Sequence, residues 1–203
     1  MEIRDAVESD ARDLAYLINL AGEGLPEYLW QGMAEGNESP LEVGARRAAR
    51  NKGNFSYTNA RVCAEGGALL GMILAYRQPD PYEIGDLSEY PEAVRAAVLL
   101  EAKAPGSWYI NAIATYEEHR GKGVARRLME DTAARARSEG CELLSLIVAS
   151  ENTPAKRMYE CMGFEAVDAV PVAPYPGCRH GGDWILMTRP VGASRRDIPD
   201  DRC

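Results

Sequence analysis

The sequence predicts an α/β (α+β) fold, a central mixed, mostly antiparallel sheet of about seven strands with helices on both faces. Three observations carry that reading. Ser107–Thr115 reads as a strand, residues 125–136 as an amphipathic helix, and Cys141–Ala149 as a strand that is almost wholly apolar. A strand, a helix and a buried strand in that order make a parallel pair joined by a right-handed crossover. The two β-rich runs Tyr57–Glu65 and Ala68–Tyr76 flank Gly66-Gly67, the pattern of an antiparallel hairpin. Phe164–Val170 and Trp184–Thr188, separated by a Pro/Gly-rich loop, close a second antiparallel edge.

The remaining elements follow in chain order. Ile3–Ala6 is a first strand, and Ser9-Asp10 opens a helix through Leu20 with Leu14, Leu17 and Ile18 inward. Gly22 to Pro26 breaks it, a second helical region runs from Glu27 to Met33, and a third from Pro40 to Arg50. Met72, Leu74 and Tyr76 alternate with Ile73 and Ala75, so the strand at 68–76 has two apolar faces and is covered on both sides. Residues 78–105 form a loop rich in prolines and acids and then a helix from Pro91 to Leu100, a longer insertion than a hairpin needs. The reading is one domain over residues 1–190 with a polar, aperiodic tail over 191–203.

Composition narrows the function. An apolar fraction of 46% with 27% charged residues is that of a soluble globular chain. No apolar run approaches the ~18 residues that would span a bilayer, and the N-terminus lacks the apolar core of a signal peptide. The five cysteines show no CxxC pair or zinc spacing, so they read as reduced thiols of a cytoplasmic protein. His119 and His180 have no partner at ligand spacing, and no metal is expected. A net charge of −8 argues against nucleic acid and anionic membrane as partners. It is compatible with a cationic amine, and it leaves a homodimer open.

Two stretches carry chemistry. The first is Arg120-Gly121-Lys122-Gly123-Val124-Ala125, between the strand at 107–115 and the helix whose inward face is Ala125, Leu128, Met129, Thr132, Ala133 and Ala136. The first N–H groups of a helix have no intrahelical acceptor and lie at the positive end of its dipole. Glycines there let the backbone approach an anion closely. The second stretch is Asn152-Thr153-Pro154-Ala155-Lys156-Arg157-Met158-Tyr159-Glu160-Cys161-Met162-Gly163-Phe164. Asn152 or Thr153 is an N-cap, Pro154 suits the first turn, and Gly163 suits the position past the helix end. Tyr159 lies on the inward face with Ala155, Met158 and Met162. Taken singly, the first stretch is an ordinary glycine turn and Tyr159 an ordinary core residue.

Taken together, in order and at this spacing, the two stretches resemble the GCN5-related N-acetyltransferase (GNAT) family. Arg120, Gly123 and Ala125 match its acetyl-CoA loop, [Gln/Arg]-x-x-Gly-x-[Gly/Ala]. Asn152, Ala155, Tyr159, Gly163 and Phe164 match its later motif, Asn-x-x-Ala-x-x-x-Tyr-x-x-x-Gly-Phe. The resemblance implies the GNAT fold with a splayed parallel strand pair, and acetyl-CoA as co-substrate. It implies an amine acceptor, either a small molecule or a peptide, attacking the thioester directly in a ternary complex. It implies that amides of Arg120, Gly121, Lys122, Gly123, Val124 and Ala125 hold the CoA diphosphate. Backbone at Ile113, Ala114 and Thr115 would pair with the pantetheine arm, and Asn152 would contact that arm. Tyr159 would be the general acid, since a phenol of pKa ~10 is protonated at neutral pH and matches a thiol of pKa roughly 8.5. The first helix pair would wall the acceptor side, making Glu27, Tyr28 and Trp30 candidate contacts, although Tyr28 and Trp30 equally suit the core. The insertion at 78–105 would help form the acceptor pocket.

The general base departs from the family pattern. Where relatives place a glutamate on the central strand or the next one, this chain has Ser107, Asn111 and Ile147. The amine is then deprotonated through water or by a loop acid, with Glu83 and Asp183 as nominees. A non-catalytic acyl-CoA-binding module is the alternative. A dinucleotide-binding domain is set aside, because the third glycine of that fingerprint and its acidic ribose ligand are missing.

Overall fold

The computed structural model describes residues 1–193 of the chain. The ten beyond them, most of the expected tail, lie outside the described residues. One seven-stranded sheet has the order β1-β2-β3-β4-β5-β7-β6, mostly antiparallel with β4 and β5 as its parallel pair. The strands are Glu2–Asp5 (β1), Ala60–Glu65 (β2), Ala68–Arg77 (β3), Trp108–Thr115 (β4), Leu143–Ala149 (β5), Glu165–Pro171 (β6) and Asp183–Pro190 (β7). The helices are Ala11–Ala21 (α1), Leu25–Gln31 (α2), Pro40–Ala48 (α3), Glu92–Glu101 (α4), Val124–Ser138 (α5) and Thr153–Cys161 (α6). The chain divides into two compact bodies, and β4 and α5 each contribute residues to both.

The first body comprises residues 1–76, 110–132 and 176–179. β1 pairs antiparallel with β2 (Ile3 opposite Cys63), and β2 with β3. Gly66 and Gly67 both take positive φ, as the expected two-residue turn requires. Leu14, Leu17 and Ile18 of α1 pack with Val43 of α3 and with Val62, Met72 and Leu74 of the sheet. Ser39 and Glu42 cap α3 reciprocally, each side chain accepting from the other residue's backbone N–H. The strand expected from Tyr57 begins only at Ala60, because Tyr57–Asn59 is a 3-10 turn whose Thr58 N–H donates to the Ser56 hydroxyl. α2 starts at Leu25, two residues before the expectation, with Pro26 in its first turn.

The second body comprises residues 77–109, 133–175 and 180 onward. β7 lies between β5 and β6 and pairs antiparallel with both (Leu146 opposite Met187, Ala169 opposite Ile185). α4 buries Leu100 and the following Ala104 with Leu186, against Ile147, Val170 and Trp184. Cys141 and Glu142 precede β5 rather than join it. Cys141 N–H and its thiol are tied to the carbonyls of Ala136 and Gly106. Val191 is buried and its N–H donates to Glu142 O, so ordered structure continues past β7. Among the described residues, no helix is long and apolar enough to cross a membrane.

Candidate active site

In the first body, β4 ends at Thr115, a 3-10 turn covers Glu117–His119, and α5 starts at Val124. Gly121 and Gly123 take φ of 73° and 79°, with open space where each Cβ would stand. The N–H of Arg120 is taken by Glu117 O at 3.2 Å, and the first bond of the helix runs from Arg127 N–H to Gly123 O at 3.1 Å. Among the described residues, the N–H groups of residues 121–126 have no protein acceptor. They gather at the head of a 15-residue helix, where its dipole is positive. Arg120, Lys122, Arg126 and Arg127 add positive side chains, with Lys122 Nζ 3.4 Å from His119 Nδ1 and Arg126 paired to Glu130 at 2.8 Å.

β4 leads into this turn with Ala112 and Ala114 buried and Ile113 and Thr115 half-buried. Asn111 is exposed although it lies inside a central strand, and its Nδ2 donates to Tyr76 Oη at 3.4 Å. Gly71 of β3 is a residue the sequence reading passed over. A Cβ there would fall 2.6 Å from Ala114 O, 2.9 Å from Val124 Cγ1 and 3.1 Å from Thr115 Cα. Its lack of a side chain brings β3 against the point where β4 ends and α5 begins, and the only signal was a glycine inside an apolar run. Beyond β4, the Tyr116 hydroxyl donates to Asp13, and its ring stacks on Tyr16 at 5.4 Å. Burial, then the Asp13 carboxylate, pushes that phenol's pKa upward.

The acceptor-wall candidates separate by role. Glu27 accepts from Asn19 Nδ2 at 2.9 Å while its N–H donates to Asn19 Oδ1 at 3.0 Å, a reciprocal pair that fastens α2 to α1. Tyr28 is half-buried. Trp30 is 3% exposed, edge-on to Phe55 at 5.6 Å. Its ring would lie 2.5 Å from a Cβ on Gly44, so Gly44 makes room for a core tryptophan.

In the second body, Asn152 caps α6, its Oδ1 accepting from Ala155 N–H at 3.2 Å. Its side-chain NH2 donates to no other residue among those described. Tyr159 is 8% exposed, and its ring meets that of Phe164 edge-on at 5.9 Å. Tyr159 O accepts from both Met162 N–H (2.9 Å) and Phe164 N–H (3.0 Å), and Gly163 at φ 84° lets the chain turn there. Of the two nominated bases, Glu83 is exposed in the loop after β3. Asp183 opens β7, and its backbone is bonded both ways to Ser150: N–H to Ser150 Oγ (2.9 Å) and O from Ser150 N–H (2.8 Å). The Pro/Gly loop before it also fastens to Glu151, whose Oε2 accepts from Gly181 N–H at 3.2 Å.

Sequence reasoning also passed over Glu101, at the end of α4. Its carboxylate accepts from Gln78 Nε2 (3.2 Å) and Tyr82 Oη (3.0 Å) and is bonded to Tyr109 as well. Burial raises its pKa, and these three neutral donors offset the rise only in part. Ser107, one of the positions where an acid was sought, is buried; its hydroxyl lies 2.6 Å from that of Ser145 and donates to Ala104 O. Among the described residues, no three His, Cys, Asp or Glu side chains gather into a metal-sized group.

The chain belongs to the acetyltransferase (GNAT) family, whose model matches residues 25–164. It is similar to N-alpha-acetyltransferase 40 of Saccharomyces cerevisiae, 34% identical over 111 residues that cover 50% of this chain and 39% of that one. It is also similar to the uncharacterized N-acetyltransferase YycN of Bacillus subtilis, 39% identical over 62 residues, 30% of this chain and 40% of that one. The chain thus spans well under half the length of these curated relatives. Among solved structures, the polyamine N-acetyltransferase of Drosophila melanogaster, described as forming N-acetylagmatine, superposes with a TM-score of 0.66. That match covers 93% of this chain and 99% of that one, at 15% identity, a likeness of fold.

Proposed function

We propose that this protein is an acetyl-CoA-dependent N-acetyltransferase that passes an acetyl group to a primary amine by direct attack in a ternary complex. The observation that carries the proposal is the set of unclaimed N–H groups at residues 121–126. A diphosphate supplies the acceptors they lack, and the surrounding basic side chains favour its charge. Acetyl-CoA brings the activated acyl group. Gly121, Lys122, Gly123, Val124 and Ala125 hold its diphosphate by their amides, and Arg120 by its guanidinium. Backbone at Ile113, Ala114 and Thr115 receives the pantetheine arm, and the unused NH2 of Asn152 donates to it.

The amine nitrogen bonds to the carbonyl carbon as the carbon–sulfur bond breaks, and Tyr159 gives its phenolic proton to the departing thiolate. The proton lost by the amine leaves through water or to Glu83 or Asp183. Glu27 and Tyr28 contribute to the acceptor wall, with Trp30 supporting it from the core. The yeast relative's name and the Drosophila structure's activity support an amine acceptor, on a protein N-terminus or on a small polyamine-like molecule. The cytoplasm is the compartment proposed for this activity.

The test measures CoA release with agmatine, spermidine and a short peptide as acceptors, beside acetyl-CoA binding by calorimetry. Tyr159→Phe is expected to bind acetyl-CoA as the parent does and to lose turnover by about 10²-fold. Unchanged turnover removes the acid role. Tight acetyl-CoA binding with no release for any amine favours the acyl-CoA-binding module, for which the missing acid at Ser107, Asn111 and Ile147 already speaks.

A further inference from the structure

Arg189 of β7 is a half-buried guanidinium with no carboxylate partner among the described residues. It has two neighbours of note. Its NH1 donates to Met162 O at 2.9 Å, the carbonyl at the C-cap of α6. Its guanidinium carbon lies 5.3 Å over the centre of the Phe164 ring, and its buried Nε has no acceptor among the described residues. A cation that has left water, with one donor unsatisfied, is unfavourable unless its surroundings compensate. Here the compensation is the negative end of the α6 dipole and the face of an aromatic ring. Phe164 is fully buried, and its other contact of note is the edge-on ring of Tyr159.

From this chain of contacts we infer that Arg189 is a positioning residue for the reaction, setting the Tyr159 hydroxyl through Phe164 and the C-terminal turn of α6. The inference rests on the acid role proposed for Tyr159. Without the guanidinium, the Phe164 ring loses the charge that fixes its plane, and Met162 O loses its donor. Because the proposed diphosphate grip belongs to residues 120–125, at the head of a different helix, losing Arg189 is expected to act on turnover and not on that grip. Lysine keeps the charge but not the planar fork that stacks and donates together, so it restores only part of the effect.

The experiment is a double-mutant cycle in the full chain, using whichever of agmatine, spermidine or peptide the parent acetylates. Arg189→Met is expected to lower kcat about tenfold with the KM for acetyl-CoA unchanged, and Arg189→Lys to recover part of the loss. In a Tyr159→Phe background, Arg189→Met is expected to cost nothing further, because the group it positions is gone. Phe164→Leu, which keeps the core filled but removes the ring edge, is expected to show the same split if Arg189→Met folds poorly. An equal loss in both backgrounds, or a lowered melting temperature with kcat intact, makes Arg189 a structural residue and overturns the inference while the acid role stands. Full turnover by Tyr159→Phe alone overturns both.

Discussion

Residues 121–123 lie exposed, with two glycines at positive φ and N–H groups that no atom of the described residues accepts. Tyr159 lies buried on a helix closed at both ends, by Asn152 at the start and by the Met162, Gly163 and Phe164 amides at the finish. The difference follows from what each stretch offers. A main-chain anion site works by leaving donors unpaired and accessible, so side chains near it are kept small or mobile. A proton donor works by having one orientation, so its neighbours are closely packed. On the proposed function, binding resides in backbone shape and chemistry in side-chain packing, and substitutions at the two places should fail in different ways.

The largest effect should come from giving the turn a side chain. Gly123→Val places a β-branched residue at φ 79°, a conformation that costs an L-residue about 1–2 kcal/mol. The turn relaxes, its amides lose their common aim, and the Kd for acetyl-CoA should rise about tenfold, equivalent to 1.4 kcal/mol. Lys122→Ala should weaken binding less, and by an amount that shrinks as salt is added. Calorimetric titration of both variants checks the contrast. If Lys122→Ala is the worse of the two, the grip belongs to side chains and the comparison collapses.

How much of this was legible in the sequence divides along the same line. The turn glycines, the Asn152 cap, Pro154 and Gly163 are local features whose backbone demands are written in residue type, and each stands where expected. The apolar faces of α5 and β3 followed from periodicity. What escaped were pairings between residues far apart in the chain. Arg189 on Phe164, and Gln78 and Tyr82 around Glu101, carry no local signal, and Gly71 against Ala114 only that of a glycine in an apolar run, because their chemistry depends on which strand lies beside which. Tyr57–Asn59 was misjudged because aromatic and β-branched residues favour a strand while the Ser56 hydroxyl favours a turn, and the hydroxyl won.

Asn152 belongs to both sides of the comparison, and its two polar ends can be separated. Its Oδ1 caps α6, and its NH2 remains for a ligand. Asn152→Ala removes both. It should lower stability by about 1 kcal/mol, which for a chain of this size is about 2–4 °C in Tm. It should also raise the KM for acetyl-CoA. Asn152→Asp keeps the cap but loses the donor, so its Tm should match the parent while the KM stays raised. A normal KM in Asn152→Asp would leave Asn152 as a cap alone.

The smallest effect concerns the cost of burying polar groups in the body that carries Tyr159. Burial raises the Glu101 carboxyl above its ordinary value near 4.5, against the Gln78, Tyr82 and Tyr109 donors that favour its charged form. A raised pKa in the fold means stability that is fully present below the unfolded value and lost as pH rises through the folded one. Near neutral pH the charge therefore works against folding. Glu101→Gln keeps an acceptor for the two tyrosines and removes the charge, so its Tm at pH 8 should exceed the parent's by about 2 °C, with no gain at pH 4. A lower Tm at pH 8 would mean that the three donors outweigh the burial. The carboxylate would then be a satisfied part of the packing, like the amides that close α6.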